Sequence, residues 1–393
     1  MDQFTSRPNT VLREASTRRG GVLVLAAGVL VLVLGFAAFS IDLGFLCLTK
    51  AGLQGAADAA SRAASQELIK GFGLGSLPQS QVEAMSRLAA VEVAALNENG
   101  DVDSTFVHQT RDIRFGHREW NTATETWEDT WGDGPYNLVE VTAHRWAPDN
   151  SEVDLFFGAV IMGNRTAVLL QKSVVFVPPA AGFRIPPGTG CNAMILPITE
   201  DLGTWNDLLL NDPSLPDDYT LDYSTGEVTN GPDGIREINL YPKGNGSLPT
   251  GNRGTVDIGH PGNSTADLKR QILHGCNEYD LSFFPNNELR FDQGPLYLNG
   301  DTGLSAGIKN ELAQIIGQPR AIPLFINVSG NGNNATYTVV KFAGVRLVAV
   351  KLTGPPKKKY VMAQPSQYTD CTLVRGNLNA GVDGLVATPI FSN

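Results

Sequence analysis

The residues of this chain able to do chemistry are few and scattered. Its five histidines are His108, His117, His144, His260 and His274. His108 and His117 are close enough in a strand-rich stretch to meet on adjacent strands. Such a pair either ligates a metal or, far more often, simply packs in the sheet. Acid pairs at Glu200-Asp201 and Asp217-Asp218 would suit calcium, but the Asp-x-Asp-x-Asp-Gly spacing that wraps the ion is absent. Trp120, Trp127 and Trp131 stand among Glu125, Glu128 and Asp129. That cluster fits either a sugar-stacking platform or the covered face of a hairpin. No G-x-x-x-x-G-K-[ST] or H-E-x-x-H occurs. Gly330-Asn331-Gly332 looks like a phosphate-loop fragment, yet it joins two strands and opens no helix. The expectation is a protein without enzymatic activity, cofactor or metal site.

The element that organises everything else lies near the start. After Arg18-Arg19, the stretch from Gly20 to Ile41 carries no charged residue. A helix of about 22 such residues, at about 1.5 Å per residue, crosses a hydrocarbon core. A secretory signal would have a shorter apolar core, so an uncleaved transmembrane helix is expected over 20–41. The tail before it holds Arg7, Arg13, Arg18 and Arg19 against Asp2 and Glu14, a net of +2. The chain totals −10, which leaves −12 after the tail. Basic residues beside a span stay inside. Residues 1–19 are therefore expected to be a cytoplasmic tail, with Arg18 and Arg19 setting topology and the acidic bulk outside.

Past the span, alanine dominates and proline is absent, so the helix is expected to continue as a stalk over 42–70. Gly52, Ala56, Ala60 and Ala64 fall four apart and form a small-residue stripe that lets a second helix approach closely. That helix belongs either to the chain's own folded region or to a partner subunit. Asp42 marks where the span meets water; its carboxylate either pairs with a cation on a neighbouring subunit or simply caps the membrane boundary.

The order Arg18-Arg19-Gly20, apolar helix, Asp42-Leu43-Gly44 and Leu53-Gln54-Gly55-Ala56-Ala57-Asp58-Ala59-Ala60 resembles the N-terminal segment of TadG-like proteins of the tight-adherence (Flp pilus) assembly machinery. Asp112-Ile113-Arg114-Phe115-Gly116, Asn137-Leu138-Val139-Glu140-Val141-Thr142 and Ile322-Pro323-Leu324-Phe325 are similar to strands of larger members. The resemblance implies a bacterial inner-membrane, single-pass protein that meets pilus-assembly or pilin subunits through its helix and its extracytoplasmic part, with oligomers allowed. Pilins of this system carry a Gly followed shortly by Glu-Tyr at their cleavage site, and no Glu occurs inside or just before this span. Asp280-Leu281-Ser282-Phe283 lacks the second serine of the Asp-x-Ser-x-Ser metal loop that some members carry.

The remaining chain reads as α+β, a β-rich region with a few helices. Glycine (42) and proline (23) are abundant enough to demand many turns. Gln79 to Asn97 has helical apolar spacing; Ile113 to Trp127 reads as a hairpin; Asn137–Trp146 and Thr166–Val177 read as strands. Pro178-Pro179 divides a first domain over 71–179 from a second over 180–393. Ala321–Val328 and Ala335–Leu352 form a closing hairpin. Cys191, Cys276 and Cys371 allow three disulfide pairings between them. The acidic balance argues against nucleic acid. The expected role is a membrane-anchored scaffold of a pilus-assembly or secretion apparatus; the alternative is a tethered adhesin or glycan-binding module.

Overall fold

In a computed structural model the described residues are 19–73, 76–161, 163–241, 254–260, 262, 264–301, 306–355, 358–376 and 383–392. The chain is α+β: one long apolar helix followed by a β-rich region with a few helices. Helix α1 spans Arg19–Leu68, 50 residues without a break, or about 75 Å. Its first part is valine- and leucine-rich and its second alanine-rich, and no proline interrupts either.

Helix α2 (Gln79–Ala95) turns back along the alanine-rich part of α1. The two helices cover a five-stranded antiparallel sheet built from β1 (Ile113–Asn121), β2 (Thr126–Trp131), β3 (Leu138–Arg145) and β6 (Leu169–Phe176), with the C-terminal strand Ile390–Phe391 at one edge. The order across the sheet is Ile390–Phe391, β6, β3, β1, β2. Between β3 and β6 the chain makes an excursion: β4 (Val153–Asp154) pairs antiparallel with β5 (Thr166–Ala167), and a one-turn helix α3 (Gly158–Ile161) lies between them. Ala60 and Ala64 of α1, Val82, Ala90 and Ala94 of α2, and Val139 and Val141 of β3 share one buried core.

After Pro178-Pro179 a second set of sheets begins. Its spine is the 17-residue strand Ala335–Lys351. That strand pairs with Pro319–Ser329 in a long hairpin, and also with Leu296–Asp301 and Tyr360–Pro365. Gly330, at φ +80°, stands in the hairpin turn, where a left-handed backbone favours glycine. Ser264 caps the helix Thr265–His274 reciprocally with Asp267. The chain then returns: Ile390–Phe391 pairs with β6, and Ser392 accepts a hydrogen bond from Arg118 of β1. The first sheet is thus completed by the last residues of the chain. Of the three cysteine pairings, the structure adopts Cys191–Cys371; Cys276 is buried and reduced, its thiol pushed up by burial, and Cys47 is exposed on α1.

Candidate functional site

Helix α1 has two unlike halves. From Val22 to Ile41, thirteen large valine, leucine, isoleucine and phenylalanine side chains are exposed. At roughly 1.5–3 kcal/mol for each such side chain left in water, the total penalty is on the order of 20–40 kcal/mol, beyond what a folded domain of ordinary stability tolerates. The stretch is also the one helix among the described residues long and apolar enough to cross a membrane.

From Asp42 onward the helix is buried along one side. Leu53, Ala56, Ala57, Ala60, Ala64 and Leu68 are covered. The stripe is filled from within the chain, by α2 and by the sheet. Gly52 belongs to the same contact: a Cβ there would lie 3.0 Å from the Glu98 carbonyl oxygen. Gly100, at φ +64°, brings its backbone against Thr49, so close that a Cβ would overlap the Thr49 hydroxyl. Of the two occupants open to the stripe, the described contacts are those of the chain's own folded region: α2, the loop after it and the sheet. Gly55, one residue from Ala56, faces outward with nothing near a built Cβ. Gly55→Ala should therefore stabilise the folded region by about 0.5–1 kcal/mol, because alanine restricts the unfolded chain at no steric cost. Gly52→Ala should give no such gain, since Glu98 and Asn99 must move. Urea titration of the full-length protein in detergent separates the two.

Asp42 is 1% exposed. Its carboxylate accepts hydrogen bonds from the backbone N–H groups of Phe156, at 2.8 Å, and Phe157, at 3.0 Å. The partner is backbone immediately before α3, 114 residues away for Phe156. Arg19 begins α1; Arg18 lies outside the described residues.

Arg145, at the end of β3, has no exposed surface. Its guanidinium donates to the Asn99 carbonyl (3.0 Å), the Asn99 side-chain oxygen (3.1 Å), the Ser151 carbonyl (3.1 Å) and the Glu152 carbonyl (3.3 Å). It also pairs with Asp101 at 2.8 Å. One side chain thus joins the loop after α2, the end of β3 and the approach to β4.

Beside it, His144 is fully buried. Its Nε2 is 3.1 Å from Asp112 Oδ2 and 2.8 Å from Arg111 Nη2, and its ring stacks on Trp146 at 3.7 Å between centroids. Arg111 also donates to Asp149 at 2.6 Å. Burial lowers the imidazole below its ordinary 6.5 and outweighs the opposing pull of Asp112. Nδ1 is buried without a hydrogen-bond partner, so a doubly protonated ring would strand a charged N–H. Burial pushes the Asp112 carboxyl up, but hydrogen bonds from Arg111 and the His108 N–H, with the neighbouring positive charge, hold it below its ordinary value. The sign follows. Below about pH 6.5 the unfolded chain protonates this histidine while the folded chain does not, so stability falls as pH falls. Asp112 adds its loss only in the carboxylate range. His144→Gln should flatten the fall between about pH 6.5 and 5, as read from urea midpoints over a pH series.

The other chemistry-bearing residues fall into separate places. His117, on β1, has its Nδ1 2.8 Å from the Pro135 carbonyl, whereas His108 Nδ1 accepts from the Thr110 and Arg111 N–H groups in the preceding turn. Asp201 caps a helix through the Thr204 N–H. Asp217 accepts from the Asp233 and Gly234 N–H groups. Asp280 pairs with Arg270 at 2.7 Å. Among the described residues, no three His, Cys, Asp or Glu side chains gather as a metal site. Trp120 and Trp127 face each other across β1 and β2 at 5.4 Å, Trp127 packs edge-on to Phe176, and Arg114 lies 4.0 Å over the Trp131 ring. All three indoles are half-buried, each against a neighbour within the sheet. The sequence offered His144 only as one of five histidines, and gave no role to Arg145 or to Phe156-Phe157. Arg145 ends a strand that alternates apolar with polar residues, and no local pattern marks it as buried.

The fold and this joint define a protein built on a single helix, bare along its apolar half and built into a folded region along its alanine-rich half. Residues 20–67 match the family model of putative Flp pilus-assembly TadE/G-like proteins. That match lies within the helix and covers the resemblance drawn above from Gly20 to Ala60. No curated protein and no solved structure matches the chain.

Proposed function

We propose that this chain is a non-enzymatic, single-pass component of a tight-adherence (Flp-type) pilus assembly apparatus, an anchor and scaffold in the bacterial inner membrane. Its N-terminus lies in the cytoplasm and its folded region on the extracytoplasmic side. The observation that carries this reading is the continuity of α1. One unbroken helix supplies both the apolar half that leaves water and the central packing element of the first sheet. A force or displacement on the folded region is thereby transmitted directly into the membrane, as a scaffold requires. The small-residue stripe is used internally. Contacts with pilin or other assembly subunits therefore fall to the bare half of α1 and to the outer surface of the folded region. The Cys191–Cys371 bond supports an oxidising compartment for the second part of the chain.

The test is fractionation. Surface fibres are sheared from cells and separated from membranes, and the N-terminus of the protein is determined in each fraction. A full-length chain confined to membranes, whose gel mobility changes on reduction of thiol-trapped samples, is the expected result. A chain shortened at Gly20 or Gly21 and recovered with the fibres would make it a structural pilin instead.

A further inference from the structure

The excursion between β4 and β5 ends in a tip from Leu155 to Asn164 that carries no charged residue. Surface turns are ordinarily polar; this one reads Leu-Phe-Phe-Gly-Ala-Val-Ile-Met-Gly-Asn. It is closed tightly, with the Leu155 N–H bonded to the Arg165 carbonyl at 2.8 Å. A Cβ on Gly158 would lie 2.5 Å from the Asn164 carbonyl oxygen. The tip is also pinned. Asp42 holds the Phe156 and Phe157 N–H groups, and the Phe45 and Phe156 rings meet edge-on at 5.4 Å. Asp42 is the first residue after the 20–41 span, and Phe45 is about 4.5 Å further along the helix axis. The tip therefore sits at the level where α1 leaves the bilayer, on the side of the folded region. There it turns Phe156, Phe157 and Val160 outward, with exposures of 68%, 39% and 87%. Val168, just after β5, is exposed as well.

We propose that this tip is a second membrane contact. Phe156, Phe157 and Val160 insert into the boundary between headgroups and acyl chains of the adjacent leaflet, beside the span. The inference rests on the anchored reading above. A lipid surface is the occupant the geometry favours, because the patch continues the bare apolar surface of α1 at the same depth. Leu43, on α1 beside Asp42, extends that exposed surface. The Asp42 carboxylate is the charge that such a location would penalise, and two backbone N–H groups already satisfy it. Exposed Arg165, at the base of the tip, stands where it can meet lipid phosphates. A single helix leaves the tilt of the folded region free. A second contact off the helix axis sets it.

The experiment uses the full-length chain in phosphatidylcholine–phosphatidylglycerol vesicles. An environment-sensitive fluorophore is attached through Val160→Cys or, separately, Leu30→Cys, each in a Cys47→Ser background. Val160 is exposed enough that the label does not disturb packing. Emission from position 160 should shift to the blue and be quenched by a spin label near the lipid headgroups, while position 30 is quenched by a deep acyl-chain label. Position 30 quenched with position 160 reached by aqueous iodide would overturn the proposal and leave the anchor intact. Position 160 shielded from both iodide and lipid quenchers would assign the patch to a second copy of the chain and also overturn it. Position 30 unquenched would remove the anchored reading itself.

Discussion

Arg145→Ala lowers the stability of the folded region by about 3–5 kcal/mol, the largest effect expected of a single substitution here. The side chain is wholly buried, and its donors serve the carbonyls of Asn99, Ser151 and Glu152. The Asn99 acceptors are buried and lose their donor at roughly 1–3 kcal/mol each, while the partly buried Ser151 and Glu152 carbonyls cost less. The void left by the guanidinium adds to that. Asp101 contributes less, because its own side chain is about half exposed and water can replace its partner. Arg145→Lys should recover only part of the loss, since one ammonium cannot reproduce a planar fork aimed at two segments. Urea titration in detergent reads the stability. Protease cleavage within the loop after α2 should rise in parallel, because that loop is what the arginine holds. A wild-type midpoint for the alanine variant would show that these contacts do not hold the joint.

Ala60→Leu is the second. Ala60 has no exposed surface and lies where α1 meets α2 and the sheet. Three added carbons must displace well-packed neighbours, at a cost of about 1–3 kcal/mol. Ala64, one turn on in the same core, should behave alike, and the double variant should lose the folded region altogether. Ala51→Leu, on an exposed position of the same helix, should leave the urea midpoint unchanged. The comparison also decides what the stripe is for. If Ala60→Leu left the isolated protein as stable as wild type and impaired only its assembly with other subunits, the stripe would be an intersubunit contact after all.

The legible parts of this chain were those encoded locally. The span was plain from an uncharged run, α2 from its apolar spacing, and the long hairpin from its glycine–asparagine turn. Asp42 was legible as a boundary residue. Its partner was not, since no local pattern links position 42 to backbone amides at 156 and 157. The small-residue stripe announced close helix packing without saying whose helix would fill it. Arg145 and His144 read as the outer end of an alternating strand, where long polar side chains usually meet water. They are buried because the loop after α2 and the segment around Ser151 fold over them, contacts 46 residues distant for Asn99.

What the sequence determined by itself, then, was an apolar helix that runs on into an alanine-rich one, followed by a β-rich region. Periodicity, charge and turn chemistry act over a few residues and need no knowledge of the rest. The tertiary structure alone decided that α2 occupies the stripe, that Cys191 takes Cys371, that the last strand returns to the first sheet, and that the apolar tip is held at the level of Asp42. Each of these joins segments far apart in the chain. A residue type states what it can bond or bury, and only the packed fold brings a particular partner within a few ångströms of it.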